Sequence, residues 1–149
     1  MESVDTYSQV LGALYGISLG DAYGMPTEMF TREDIQKKLG EVNCLLPGQE
    51  CSEISRGFLA GETTDDTAFS MILCEVIIEN HGKVDSMCMV EKIKEWANNH
   101  TKSQNVLGPS TKRAFQKIED GEKLEVAGQY GTTNGAAMRI LPVGIAFDY

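Results

Sequence analysis

A basic cluster is missing from this sequence. Against 22 acidic residues stand 13 lysines and arginines, for a net charge of −9, and nowhere do the cations gather into a stripe. Neutralising a phosphate backbone needs such a stripe, so no nucleic-acid groove is expected. Histidine is scarce, with only His81 and His100. The cysteines, at 44, 51, 74 and 88, form no C-x-x-C spacing, and the two absences together argue against a zinc site. Cys74 and Cys88 lie among apolar residues and read as small core residues. No signal-peptide pattern opens the sequence, so reduced thiols in a cytoplasm are the expectation. The apolar runs are far too short for a bilayer span, and no membrane partner is expected. Also lacking is the apolar–polar alternation of a half-buried strand.

What is present is helical. The composition, 42% hydrophobic and 23% charged over 149 residues, suits one soluble domain, residues 1–149, with a core of its own. The helix expected over Asp5–Leu19 carries Val10, Leu11, Leu14, Ile17 and Ser18 along one side. Gly12, Gly16 and Gly20 recur every four residues, each costing about 1 kcal/mol of helix propensity relative to alanine. That cost points to close helix packing, or to a ligand near the helix end. Gly24 and Pro26 then break the helix and aim Glu28 from a turn; alone, Glu28 reads as a surface carboxylate.

Thr31–Leu39 is a short expected helix, and Glu41–Ala60 reads as a long irregular loop of the kind that often carries function. Next comes Gly61-Glu-Thr-Thr-Asp-Asp-Thr67. Thr63 and Asp66 have the spacing of a capping box, and Phe69, Ile72, Leu73, Val76 and Ile77 follow with the period of a helix burying one face. Asp65 and Asp66 then fall in the first helical turn, where exposed N–H groups favour negative charge. Read by itself, the pair is no more than a well-capped helix start. Further helices are expected from Asp85 or Ser86, with Met89, Val90, Ile93, Trp96 and Ala97 inward, and from Pro109, separated by a polar loop over Asn98–Leu107. The third informative stretch, Gly128–Arg139, sets Gly131-Thr132-Thr133-Asn134-Gly135 before a helix-like Ala136–Phe147. A helix start reached through small residues can bind an anion, or be simply a glycine-rich turn. The chain reads as all-α, with about six or seven helices.

Three stretches in this order, GALYGISLGDAYGMPTE (12–28), TDDT (64–67) and GTTNGAAMRILP (131–142), resemble the ADP-ribosylglycohydrolase family, and Gly108-Pro-Ser-Thr111 also fits a helix start of that family. The resemblance implies a compact orthogonal helical bundle that holds two magnesium ions beside the distal ribose of an ADP-ribosyl group. It implies hydrolysis of the N- or O-glycosidic bond between ADP-ribose and a protein side chain or small molecule. Carried over by motif, Thr64, Asp65 and Asp66 resemble the first half of the metal site. Glu28 matches the family's mobile glutamate, a candidate acid or base beside Asp65 and Asp66 in the catalytic set. Gly131, Thr132, Thr133, Asn134 and Gly135 resemble the turn that cradles the distal ribose and phosphates. Asp21 lies in the same signature and is expected to be structural, bonding the helix end.

One part of the family pattern is missing. The second acidic motif, Asp-x-Asp-Thr, should follow the Asn-Gly-Ala turn, and no Asp-x-Asp occurs in the chain. The expectation is therefore a truncated half of the domain with at most a half-site for magnesium. A second chain would complete the site. The rival expectation is a catalytically inactive module that binds ADP-ribose or a nucleotide, or a helical interaction module. The apolar face of Ile140–Phe147 is expected to lack partners.

Overall fold

The computed structural model describes residues 5–147, and the chain falls into two compact units, Met1–Thr67 and Ala68–Tyr149. Among the described residues there are helices and turns but no strand, as the missing alternation predicts.

In the first unit, α1 (Thr6–Gly24) starts where the Asp5 carboxylate accepts hydrogen bonds from the Ser8 amide and hydroxyl, at 2.9 and 2.8 Å. It runs five residues beyond the expected end at Leu19, which places Asp21 on its last turn. A short 3-10 turn, Met25–Thr27, follows; Pro26 has no N–H with which to extend the α-helix. Val10, Leu14, Ile17 and Ser18 are half-buried, whereas Leu11 joins Tyr7, Tyr15, Leu19 and Tyr23 in an exposed row. The close packing expected at the glycines is not found. Among the described residues, nothing lies within 4 Å of a Cβ built on Gly12, Gly16 or Gly20.

Helix α2 (Arg32–Lys38) is capped by Thr31, whose hydroxyl accepts from the Asp34 amide at 3.1 Å. Glu33 and Asp34 in its first turn and Lys37 and Lys38 in its last both complement the helix dipole. The expected loop over 41–60 has neither helix nor strand, yet it is knit to itself. Buried Ser52 accepts from the amides of Ile54 and Ser55, Ser55 Oγ accepts from Gln49 N, and Gly48 N donates to Phe58 O at 2.9 Å. A Cβ on Gly48 would sit 1.6 Å from the Ser55 carbonyl oxygen, so only glycine allows this closure.

Helix α3 (Asp65–Glu79) begins at the end of the first unit, and its body belongs to the second. Phe69, Ile72, Leu73, Val76 and Ile77 are all buried, as their spacing predicts, and they share a core with Met89, Ile93 and Ala97 of α4 (Ser86–Asn99) and with Leu107. The Phe69 ring meets Trp96 edge-on, with centroids 5.4 Å apart. His81 and Gly82 end α3 in left-handed conformations, and the Gly82 amide donates to Ile77 O at 2.8 Å. Asp85 caps α4 by accepting from the amides of Met87 and Cys88.

The expected polar loop over Asn98–Leu107 contains a short α5 (Ser103–Val106), where the buried Ser103 hydroxyl donates to Ala97 O. Beyond it lie α6 (Pro109–Glu119) and a short α7 (Leu124–Ala127). The single helix expected over Ala136–Phe147 is instead a 3-10 turn, Ala137–Arg139, followed by α8 (Leu141–Ala146). Pro142 explains the break: it lacks an N–H and would crowd the carbonyl four residues back. Ile140 and Ile145 stay exposed as expected, while Val143 and Phe147 pack partly against the core. Among the described residues no helix is long and apolar enough to cross a membrane.

Candidate functional site

The site grows from the start of α3. The helix begins at Asp65, and the bonds described at its first turn run to Asp21 of α1. Asp21 Oδ2 accepts from the amides of Thr64 and Thr67, at 2.8 and 3.1 Å, and from the Thr67 hydroxyl at 2.6 Å. Its Oδ1 accepts from the Thr64 hydroxyl at 2.8 Å. One carboxylate thus satisfies two orphan N–H groups of the first turn, and its charge suits that end of the helix. The expectation that Asp21 bonds a helix end is met.

This cap fixes Thr64, Asp65 and Asp66 in space. Thr64 and Asp65 are buried and Asp66 is half-buried. Burial pushes the Asp65 carboxyl up to about 7, and the neighbouring carboxylates of Asp66, Glu28 and Asp21 add to the rise. Asp66 is also raised, by burial and then by Asp21, with the Thr64 hydroxyl partly opposing the shift. Four carboxylates therefore crowd one helix start.

Glu28 joins them from a turn. Its backbone, at φ −57° and ψ 135°, occupies the second position of a four-residue turn closed by Phe30 N donating to Thr27 O at 3.0 Å. Met29 follows at φ 64°, where glycine or asparagine is the usual choice. The turn anchors on Met25 and Pro26, both buried. Glu28 itself stays accessible to solvent, yet enough protein crowds its carboxyl that partial burial, then Asp66 and Asp21, raises its pKa. An accessible carboxyl whose pKa is raised in this way is suited to proton transfer.

The turn Gly131-Thr132-Thr133-Asn134-Gly135 belongs to the second unit. It leads into a 3-10 turn and not into a helix, so the expected anion-binding helix start is not formed there. Gly131, Thr132, Thr133 and Asn134 are exposed; Thr132 N donates to Ser110 Oγ at 3.3 Å, and Asn134 O accepts from Met138 N. The neighbouring segment is pinned to α3 by Ser70 Oγ donating to Met138 O and by Arg139 over the Phe69 ring. Gly131, Thr133 and Gly135 line a mostly apolar cavity of about 620 Å³ together with Ser110, Thr111 and Arg139. In the sequence Ser110 and Thr111 stand out only as a helix start, and no role is expected of Arg139. No local spacing signals their meeting, because the cavity walls come from distant elements.

The first-unit set suits a hard cation. Thr64 Oγ1 and the Asp65 and Asp66 carboxylates are oxygen donors, and a divalent ion would offset the burial, and then the repulsion, that raise Asp65. Magnesium keeps several waters and needs only one or two carboxylates from the protein, and this set fits that demand. It is not a closed cage: among the described residues no three His, Cys, Asp or Glu side chains group to hold an ion.

The chain is 39% identical over 137 residues to the protein YegU of Escherichia coli (strain K12), a match covering 91% of this chain and 41% of that protein. It is 28% identical over 151 residues to the ADP-ribosyl-[dinitrogen reductase] glycohydrolase of Rhodospirillum rubrum, covering 98% and 47% of the two chains. Over 155 residues it is 28% identical to the ADP-ribosylarginine hydrolase Tri1 of Serratia proteamaculans (strain 568), covering 97% and 37%. The chain thus spans less than half the length of these relatives. Residues 2–149 match the family described as ADP-ribosylglycohydrolase, and with the helical fold and the capped Thr-Asp-Asp start in place, the chain belongs to that family.

Proposed function

We propose that this chain takes part in magnesium-dependent hydrolysis of the N- or O-glycosidic bond between ADP-ribose and an acceptor, either a protein side chain or a small molecule. The observation that carries this reading is the convergence of Glu28, Asp65 and Asp66 on the one helix start that Asp21 caps. Thr64 Oγ1 and the Asp65 and Asp66 carboxylates would hold the ion. An ion held there would supply Lewis-acid orientation of the ribose hydroxyls and of a water for attack at an oxocarbenium-like carbon. Glu28, as the acid, would pass a proton to the departing acceptor or, as the carboxylate base, would take one from the attacking water. The Gly131–Gly135 turn, exposed over its first four residues, would contact the distal ribose and phosphates. Two relatives named for removing ADP-ribosyl groups support this choice of substrate.

A two-ion site needs more oxygen ligands than Thr64, Asp65 and Asp66 supply, and we propose that a second chain provides the rest. The cysteines of the described chain are free, which suits the reducing cytoplasm proposed as its setting. The test is turnover of ADP-ribosylated arginine and serine peptides with and without magnesium. Chelator-sensitive release of ADP-ribose is expected, and Glu28→Gln should lower it by about 100-fold or more. Binding of ADP-ribose without turnover under any magnesium concentration would favour a catalytically silent binding module.

A further inference from the structure

We propose that Asp21 is a positioning residue that sets the proton of the Thr64 hydroxyl, so that Thr64 offers only lone pairs to a cation. This rests on the metal reading above. A threonine hydroxyl has one proton to donate and two lone pairs. Thr64 Oγ1 lies 2.8 Å from Asp21 Oδ1 and 3.4 Å from Asp66 Oδ2, so the shorter, charge-assisted bond to Asp21 takes the proton. One lone pair then meets the Asp66 amide at 3.4 Å, and the other remains for an ion. Without Asp21 the hydroxyl could rotate and turn its proton toward the cation. Partners that fix a ligand's protonation and orientation in this way tune metal affinity by about 10- to 100-fold.

The two oxygens of Asp21 have separate tasks. Oδ2 accepts three bonds, from Thr64 N, Thr67 N and Thr67 Oγ1, and caps α3; Oδ1 accepts only from Thr64 Oγ1 among the bonds described. Asp21→Asn separates them. Its amide oxygen keeps the cap at the Oδ2 position, since an NH2 there would face two backbone donors. The NH2 then falls at the Oδ1 position and must donate to Thr64 Oγ1, which reverses that one bond, takes the lone pair left for the ion and leaves the Thr64 proton to Asp66 Oδ2.

The experiment measures Mn2+ affinity by electron paramagnetic resonance, and melting temperature, for the full chain and five variants. Asp21→Asn should melt within about 3 °C of wild type and bind Mn2+ at least about tenfold more weakly. Thr67→Val, which weakens the cap but spares the Thr64 bond, should melt lower and bind with about wild-type affinity, and Thr64→Ser should bind as wild type. In a Thr64→Val background, Asp21→Asn should change affinity no further. Equal binding by wild type and Asp21→Asn overturns the inference, as does an Asp21→Asn chain that fails to fold. A parallel loss of affinity and melting temperature in Asp21→Asn and Thr67→Val assigns Asp21 a purely structural role. No Mn2+ binding by wild type overturns the metal reading itself, and this inference with it.

Discussion

Asp65 is a carboxyl held where its charged form is least favoured. Its pKa rises from 3.8 in the unfolded chain to about 7 in the fold, so the folded state binds more protons across that interval. The group's contribution to stability is therefore whole below pH 4 and is lost as pH rises through 7. Asp65→Asn should remove that slope. Urea unfolding should show the variant gaining on wild type between pH 4 and 7, reaching about 2–4 kcal/mol at pH 8. A pH-independent difference would contradict the assignment. Met29 gives a second prediction at this scale. Its φ of 64° costs a side chain strain that glycine avoids, so Met29→Gly should stabilise the chain by up to about 1 kcal/mol in the same assay. Thr64, Asp65, Asp66 and Glu28 were legible as candidates because each lies in a short motif. The bonds of Asp21 were legible only as an expectation of some helix-end contact. Its partners lie 43 and 46 residues away, beyond any local capping rule.

Among the elements, those with their own local signals were readable. Thr31 before α2, Asp85 before α4 and Pro109 at the start of α6 all act where the sequence places them. Asp85→Ala should cost about 1 kcal/mol in urea unfolding, since two amides lose their acceptor. Helices α5 and α7, at four residues each, are too short to show a period, and so were missed. The last helix was drawn through Pro142, against the proline's own chemistry. The loop over 41–60 hid its order because serine–backbone bonds leave no periodic trace. Gly48→Ala should nonetheless destabilise the chain by more than about 2 kcal/mol, seen as a lowered urea midpoint, because the Ser55 carbonyl occupies the space of the added methyl.

For the whole molecule, no single motif identified the family; three weak stretches in one order did, and a match over residues 2–149 bears this out. Chemistry is harder to read at this scale, since the relatives it matches are more than twice the matched length. The central claim is that the start of α3 holds a divalent cation for ADP-ribose hydrolysis. Calorimetric titration of magnesium into this chain, with and without ADP-ribose, tests it most directly. Magnesium should bind, ADP-ribose should strengthen that binding, and Asp65→Asn together with Asp66→Asn should abolish it. Heats indistinguishable from dilution, with ADP-ribose present and a partner chain supplied, would contradict it.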